Sequence, residues 1–241
     1  MAMHLDHDVI CPTLVGRDSQ LAAMRRVLTR TREGSGSVAF IVGEAGVGKS
    51  RLLRAMTEEA RAAGFFVLRG AAFEAERTIP YAPLLDLVRL LASTASPAVA
   101  AHVLTPAASE LATMFPELRP LLPDAVPAST IDPASDKRRL LHALAQVITT
   151  VARTQPVLLV FEDVHWSDDA TLDLIFHLAR SHASQSVAIA LTYRGEEATP
   201  RLDRLVADLQ RERVATELPV SRLGRSEVAA MLHAKIGRAH V

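Results

Sequence analysis

The sequence holds one cysteine, Cys11, and one tryptophan, Trp166, among 241 residues. A lone cysteine excludes an intramolecular disulfide framework and a thiolate zinc site, and it suits a reducing compartment, so a cytoplasmic location is expected. Cys11 itself reads as a small apolar filler. No apolar run approaches the roughly eighteen residues that a bilayer-crossing helix requires. The amino-terminal stretch carries Asp6, His7 and Asp8 where an export signal would be basic and then apolar. Neither a membrane span nor a leader is expected. Charge of one sign is missing as well: 27 Lys plus Arg balance 27 Asp plus Glu, so no whole-molecule field draws the chain to nucleic acid or anionic lipid. No contact with nucleic acid by this chain itself is expected, and none with membrane. His4 and His7 find no second cluster that would complete a metal site.

What is present is the balance of a globular domain, 49% hydrophobic and 22% charged residues. The length accommodates one α/β domain of ordinary size, or one such domain plus a small appendage, and one main core is expected. Leu21, Met24 and Leu28 share one face of a helix over Asp18 to Arg30, with Asp18 as candidate N-cap. Val38 to Val42 is a continuous apolar run of the kind buried on both faces of a parallel sheet. Leu52, Leu53, Met56 and Ala60 keep helical spacing up to Gly64, placed to end the helix in a left-handed conformation. Phe65 to Leu68 reads as the next strand, which completes a right-handed βαβ unit. Between about 71 and 136 the composition shifts to Ala and Pro. Helical fragments are expected at Leu84 to Leu91 and Val99 to Met114, then irregular chain punctuated by Pro116, Pro120, Pro123, Pro127 and Pro133. Periodicity resumes with a helix carrying Leu140, Leu141, Leu144, Val147, Ile148 and Val151. Then come a strand over Val157 to Phe161, a helix marked by Leu172, Ile175, Phe176 and Ala179, and a strand over Val187 to Thr192. A helix with Leu202, Leu205, Val206 and Leu209 and a last strand over Val214 to Pro219 follow. About five strands alternating with helices predict a three-layer α/β fold with a mostly parallel sheet and a helical insertion.

Gly43-Glu44-Ala45-Gly46-Val47-Gly48-Lys49-Ser50 fits G-x-x-x-x-G-K-[ST]. Inward-pointing backbone N–H groups of such a loop make a concave anion site, and glycines let that backbone approach phosphates closely. Lys49 would place its ammonium on the β- and γ-phosphates, Ser50 its hydroxyl on Mg2+, and the helix starting there adds its dipole. The four fixed positions match by chance in a chain of this length on the order of once in a hundred, and the strand before and helix after are the context the motif requires. Lysine occurs only at Lys49, Lys137 and Lys235, so arginine is the routine cation and Lys49 stands out. A P-loop NTPase domain for ATP is the reading. Glu162 and Asp163, just past the apolar strand, can hold Mg2+ and polarise water. Trp166 is expected to pack on a neighbouring strand or helix, and Asp168 or Ser167 to cap the helix near Ala170. The residues alone give His165 no role. Arg194, beyond the strand Val187 to Thr192, could reach a γ-phosphate and reads equally as a solvated loop arginine.

These stretches resemble the signal-transduction ATPases with numerous domains found at the N-terminus of large bacterial LuxR-type regulators, and related AAA-like proteins. The likeness covers nearly all of residues 14 to 232: Leu14-Val15-Gly16-Arg17, the loop through Lys49-Ser50, Pro80-Tyr81-Ala82-Pro83, the Glu162-Asp163-Val164-His165-Trp166-Ser167-Asp168 run, Thr192-Tyr193-Arg194 and Leu218 to Leu232. It implies that Val15, Gly16 and Arg17 border adenine, and that the loop from Gly43 through Glu44, Ala45, Gly46, Val47 and Gly48, with the following Arg51, lies beside the nucleotide. It further implies that Glu162 and Asp163 are the Walker B acids, and that Arg194 senses the γ-phosphate. Glu162 stands where the family often has aspartate, which leaves open which acid faces Mg2+. Gly224 replaces a serine helix cap before Glu227. The expected division is a tail over 1–13, the ATPase domain over 14–220 and the start of a lid over 221–235. Residues 236–241 resemble a translated sequencing adapter and are expected to be non-native. Three functions compete: a slowly hydrolysing ATP switch of a multidomain regulator that self-associates when ATP-bound, an AAA machine of the replication-initiator kind, and a small-molecule kinase, for which no second substrate signature is visible.

Overall fold

The structure, a computed structural model, describes residues 14–94, 97–122, 125–126 and 132–236. His4, His7, Cys11, Pro123, Pro127 and residues 237–241 lie outside the described residues. The elements run α1 (Asp18–Arg32), β1 (Ser37–Val42), α2 (Lys49–Ala62), β2 (Phe66–Ala71), α3 (Ala82–Thr94), α4 (Pro97–Leu104), α5 (Ala108–Met114), α6 (Pro133–Ala152), β3 (Val157–Glu162), α7 (Asp169–Ser181), β4 (Val187–Tyr193), α8 (Pro200–Arg211), β5 (Ala215–Pro219) and α9 (Arg225–Ile236). The five strands form one sheet in the order β2-β3-β4-β1-β5, and every pairing is parallel. The register sets Val38 opposite Ile189 and Leu159 opposite both Leu68 and Ile189. Central strands enclosed on both faces need apolar side chains throughout, and β3 and β4 are buried along their whole length.

Strand alternation divides the core. Ala39, Ile41, Leu158, Val160, Ala188 and Ala190 face α1 and α2, meeting Met24, Leu28, Leu52, Leu53 and Met56. Val38, Phe40, Leu159, Phe161, Ile189 and Leu191 face the opposite layer, which contains α3, α6, α7 and α8. Helices on both faces of a parallel sheet give the expected three layers. The helices α3 to α5 sit between β2 and β3 in the chain and pack their own apolar residues, among them Leu87, Leu104 and Leu111, into that second cluster.

Several boundaries differ from the sequence reading for identifiable reasons. Asp18 is the first residue inside α1, and Arg17 occupies the cap position without a side-chain cap. An acid in the first turn still complements the helix dipole. The strand expected over Phe65 to Leu68 continues to Ala71, because Arg69 to Ala71 pair with Val160 to Glu162. The Pro-rich stretch is less irregular than expected: Pro116–Leu121 forms a 3-10 turn, and Pro133 opens α6 with Asp132 capping it through Ala134 and Ser135 N–H. Proline at a helix start loses no hydrogen bond, which explains its place there. Gly64 has φ +82, as a left-handed terminator should. Among the described residues no helix is long and apolar enough to cross a membrane.

Candidate nucleotide-binding site

Strand β1 delivers the chain into Gly43, and α2 begins at Lys49, so the whole glycine loop bridges a buried strand and a helix N-terminus. Gly46 has φ +75 and Gly48 φ +99, backbone conformations that L side chains rarely adopt. A Cβ at either position would meet nothing within 4 Å, so it is conformation and not crowding that demands glycine there. Open space beside a turn of this kind at a helix N-terminus is what a phosphate requires. Lys49 is 7% exposed, and its Nζ donates to the carbonyls of Gly43 at 2.7 Å and Glu44 at 2.8 Å. Burial lowers its pKa, opposed chiefly by the charge of Asp163 and reinforced by Arg194.

Beside the loop lies a cavity of about 470 Å³ lined by Leu14, Val15 and Arg17, by Ala45 to Gly48, by Arg51, and by Arg222, Leu223 and Met231. Two segments far apart in sequence thus join the loop. Arg17, 6% exposed, donates through Nη2 to the carbonyl of Val47 at 3.0 Å and to that of Ser221 at 2.6 Å. Arg222 pairs with Glu44 at 2.6 Å on the surface. Gly16, at φ +67, leaves room for Glu227, whose Oε1 takes the place a Cβ would need. The other oxygen of Glu227 accepts from Gly224 N–H at 2.6 Å, so Gly224 is bonded by a side chain reaching back from inside α9 although it offers none itself.

The acids emerge from β3. Glu162, 6% exposed, lies on the sheet face that carries α2, because it continues the alternation of Leu158 and Val160. Arg69, on the paired strand β2, binds its Oε1. Asp163 follows in a left-handed conformation, φ 52, that turns the chain sharply, and its N–H donates to Thr192 Oγ1 at 2.9 Å. Aspartate is among the few residues that tolerate this region.

Around them stands a second group. Arg194 Nη1 donates to Glu197 Oε1 at 2.6 Å, and this bond, first among the causes, holds the Glu197 carboxyl below its ordinary value. Trp166, expected to pack on a strand or helix, is placed among cations. Its ring faces the guanidiniums of Arg77 at 5.0 Å and Arg194 at 6.0 Å, with His165 tilted against it at 4.8 Å. The indole's quadrupole attracts cations, which favours that placement. His165 is 1% exposed, and neither ring nitrogen has a hydrogen-bond partner. Its Nε2 lies 3.6 Å from Glu197 Oε2, beyond hydrogen-bond reach. Burial lowers its pKa, and an unmade buried polar group costs about 1–3 kcal/mol. Asp168, one of the two candidate caps, is the one used, accepting from Thr171 N–H at 3.0 Å.

The loop, the two acids and Arg194 therefore converge at the carboxyl ends of β1, β3 and β4. Arg69, Thr192, Glu197 and Arg222 join the site without having been expected there from the sequence. Only Arg69 left a signal, a charge within a strand whose neighbours are apolar.

Residues 13–190 match the family model described as AAA ATPase domain. This chain belongs to that family. A parallel five-stranded P-loop sheet is its frame, and membership implies a nucleotide and, typically, Mg2+. An uncharacterised protein of Rhizobium meliloti (strain 1021) is 28% identical over 203 residues, covering 79% of this chain and 19% of that protein. The chain thus spans about a fifth of the curated relative it matches. CDC6P of Pyrobaculum aerophilum resembles the AAA domain in fold, with TM-score 0.52 and 14% identity over 95% of this chain and 52% of the other. A signal-transduction ATPase with a tetratricopeptide repeat sensor from Pyrococcus horikoshii gives TM-score 0.44 and 12% identity over 95% of this chain and 26% of that one. Among the described residues no group of three or more His, Cys, Asp or Glu could hold a metal. Magnesium in NTPases takes few protein ligands and shares phosphate oxygens, so the absence of such a group does not count against Ser50, Glu162 at the end of β3 and Asp163 after it as candidate ligands.

Proposed function

We propose that this AAA domain is an ATP-operated switch in a larger bacterial signalling or transcriptional regulator. The observation that carries the reading is Arg17, whose single guanidinium nitrogen bonds both the phosphate loop at Val47 and the segment leading into α9 at Ser221. A change in loop conformation is thereby passed to the segment that follows the sheet. In this reading the adenine occupies the cavity beside Val15 to Arg17 and Arg51, and Gly43 to Lys49 cradle the phosphates. Bound Mg2+ neutralises developing phosphate charge. Ser50 and Glu162, on the face of α2, would hold it, with Arg69 orienting the carboxylate. Asp163, the chief charge partner of Lys49, is assigned to the water side, and Arg194 to the γ-phosphate. The motif resemblance and a relative about four times as long as this chain support the regulator context; self-association of the ATP form belongs to the same reading.

The test is hydrogen exchange of α9 with Mg2+ and either ADP or the slowly hydrolysed analogue ATPγS. Protection of Arg225 to Met231 should differ between the two, and Arg17→Met should abolish that difference at nucleotide concentrations that saturate the variant. Identical exchange in both nucleotides removes the switch. Steady turnover that rises with protein concentration would instead favour the AAA machine.

A further inference from the structure

Among the described residues of the site, His165 is a buried side chain left without hydrogen bonds, since both its ring nitrogens lack partners and its exposure is 1%. Placing an imidazole there is unfavourable unless it is used. Glu197 Oε2 lies 3.6 Å from its Nε2, while Glu197 Oε1 is occupied by Arg194 at 2.6 Å. One carboxylate therefore stands between a cation already bonded to it and a donor just out of reach.

That geometry creates a competition. A guanidinium bonded to a carboxylate is not available to a phosphate, and releasing it leaves the carboxylate short of a donor. The imidazole Nε2–H can fill that deficit after a shift of well under 1 Å, moving from 3.6 Å to ordinary hydrogen-bond distance. Glu197 lies in the 3-10 turn Gly195–Glu197, outside the strands, where such a shift disturbs no ladder. Trp166, flanked by Arg77 and Arg194, keeps the Arg194 guanidinium close through its π face during the exchange.

We propose that His165 is a positioning residue that takes over Glu197 when Arg194 turns to the γ-phosphate, so that the pair sets how strongly the site distinguishes a triphosphate from a diphosphate. This rests on the ATP-site reading above, specifically on Arg194 facing the γ-phosphate. No protonation change is required, because neutral imidazole carries the needed N–H.

The experiment measures affinities of the whole chain for ATPγS and ADP, each with Mg2+, by calorimetry. His165→Leu keeps the volume and removes the donor; it should weaken ATPγS about tenfold, the worth of one charge-assisted hydrogen bond, with ADP unchanged. His165→Gln, which restores a donor, should recover most of the loss. Glu197→Gln removes the grip on Arg194, and in that background His165→Leu should have no effect. Equal weakening of both nucleotides, or an undiminished effect in the Glu197→Gln background, overturns the proposal. Should His165→Leu fail to fold, the wild-type imidazole is read by 15N NMR: a strengthened Nε2–H hydrogen bond on adding ATPγS but not ADP is expected, and an unmoved signal refutes it. Arg194→Ala separates the two layers. If it leaves the ATPγS to ADP preference intact, the Arg194 assignment and this inference fall together; if it abolishes the preference while His165→Leu does not, only this inference falls.

Discussion

Lys49 is one of three lysines in the chain, and two carbonyls of its own loop hold its ammonium in place. A point charge fixed this way costs little reorganisation when it meets an anion, and a compact ammonium suits two adjacent carbonyls better than arginine's wider planar fork. Lys49→Met preserves bulk and removes the charge. Nucleotide affinity should fall about ten- to a hundredfold, the worth of one to two charge-assisted bonds, with the circular dichroism spectrum unchanged. Full affinity in the variant would remove the site. The two acids should separate in the same assay. Glu162→Gln is expected to weaken the Mg2+ dependence of binding, because Glu162 lies on the α2 face with Ser50. Asp163→Asn should leave binding near wild type and slow single-turnover hydrolysis; matching effects from both would discard the division of labour. Strand periodicity alone could not assign these roles. Glu162 and Asp163 adjoin in sequence, and the left-handed turn at Asp163, φ 52, takes Asp163 out of the strand alternation that places Glu162.

At the level of elements, loops are tied to one another by caps that do two tasks. Asp168 caps α7 through Thr171 N–H at 3.0 Å and also accepts the N–H of Tyr81 at 3.1 Å. Tyr81 is buried and left-handed, φ 61, a conformation that costs a bulky residue about 1–3 kcal/mol and persists only where neighbours enforce it. Asp168→Ala should therefore cost about 2 kcal/mol, at the upper end for an N-cap, since two N–H groups lose their acceptor. Urea unfolding at constant slope reads this directly, and a loss of only a few tenths would show the Tyr81 contact to be idle. The caps were partly legible, because Asp before a helical pattern is a local signal. The link from Asp168 to Tyr81 spans 87 positions and has no local signature. The same holds for Arg17, whose partners at Val47 and Ser221 belong to different segments.

Across the whole molecule, the layer holding α6 and α7 carries a pH-dependent joint. His182 is 1% exposed, with Nδ1 2.8 Å from Leu178 O and Nε2 3.1 Å from Ala145 O and 3.3 Å from Thr149 Oγ1, bridging the two helices. Burial lowers its pKa, against the pull of those carbonyls. His177 is lowered too, by burial and then by its neighbours His142 and His182. A folded-state pKa below the unfolded value of about 6.5 means that the unfolded chain binds the proton first. Stability is then full above about pH 6.5, falls as pH drops below it, and levels off beneath the folded-state pKa. The slope for one such histidine is at most about 1.4 kcal/mol per pH unit. The urea midpoint should decrease from about pH 7.5 to about pH 5.5, and His182→Gln should flatten that decrease; a flat wild-type profile would refute the assignment. The sequence by itself determined the strands, the helices between them and the phosphate loop, because buried parallel strands, amphipathic helices and glycine turns are each specified by nearest neighbours and short periods. Only the tertiary structure decided the partners: Arg69 for Glu162, Glu197 for Arg194 and His165, and Arg17 for the loop and the path to α9. Sheet order and strand register bring those residues together across as many as 204 positions, and no local pattern encodes such a distance.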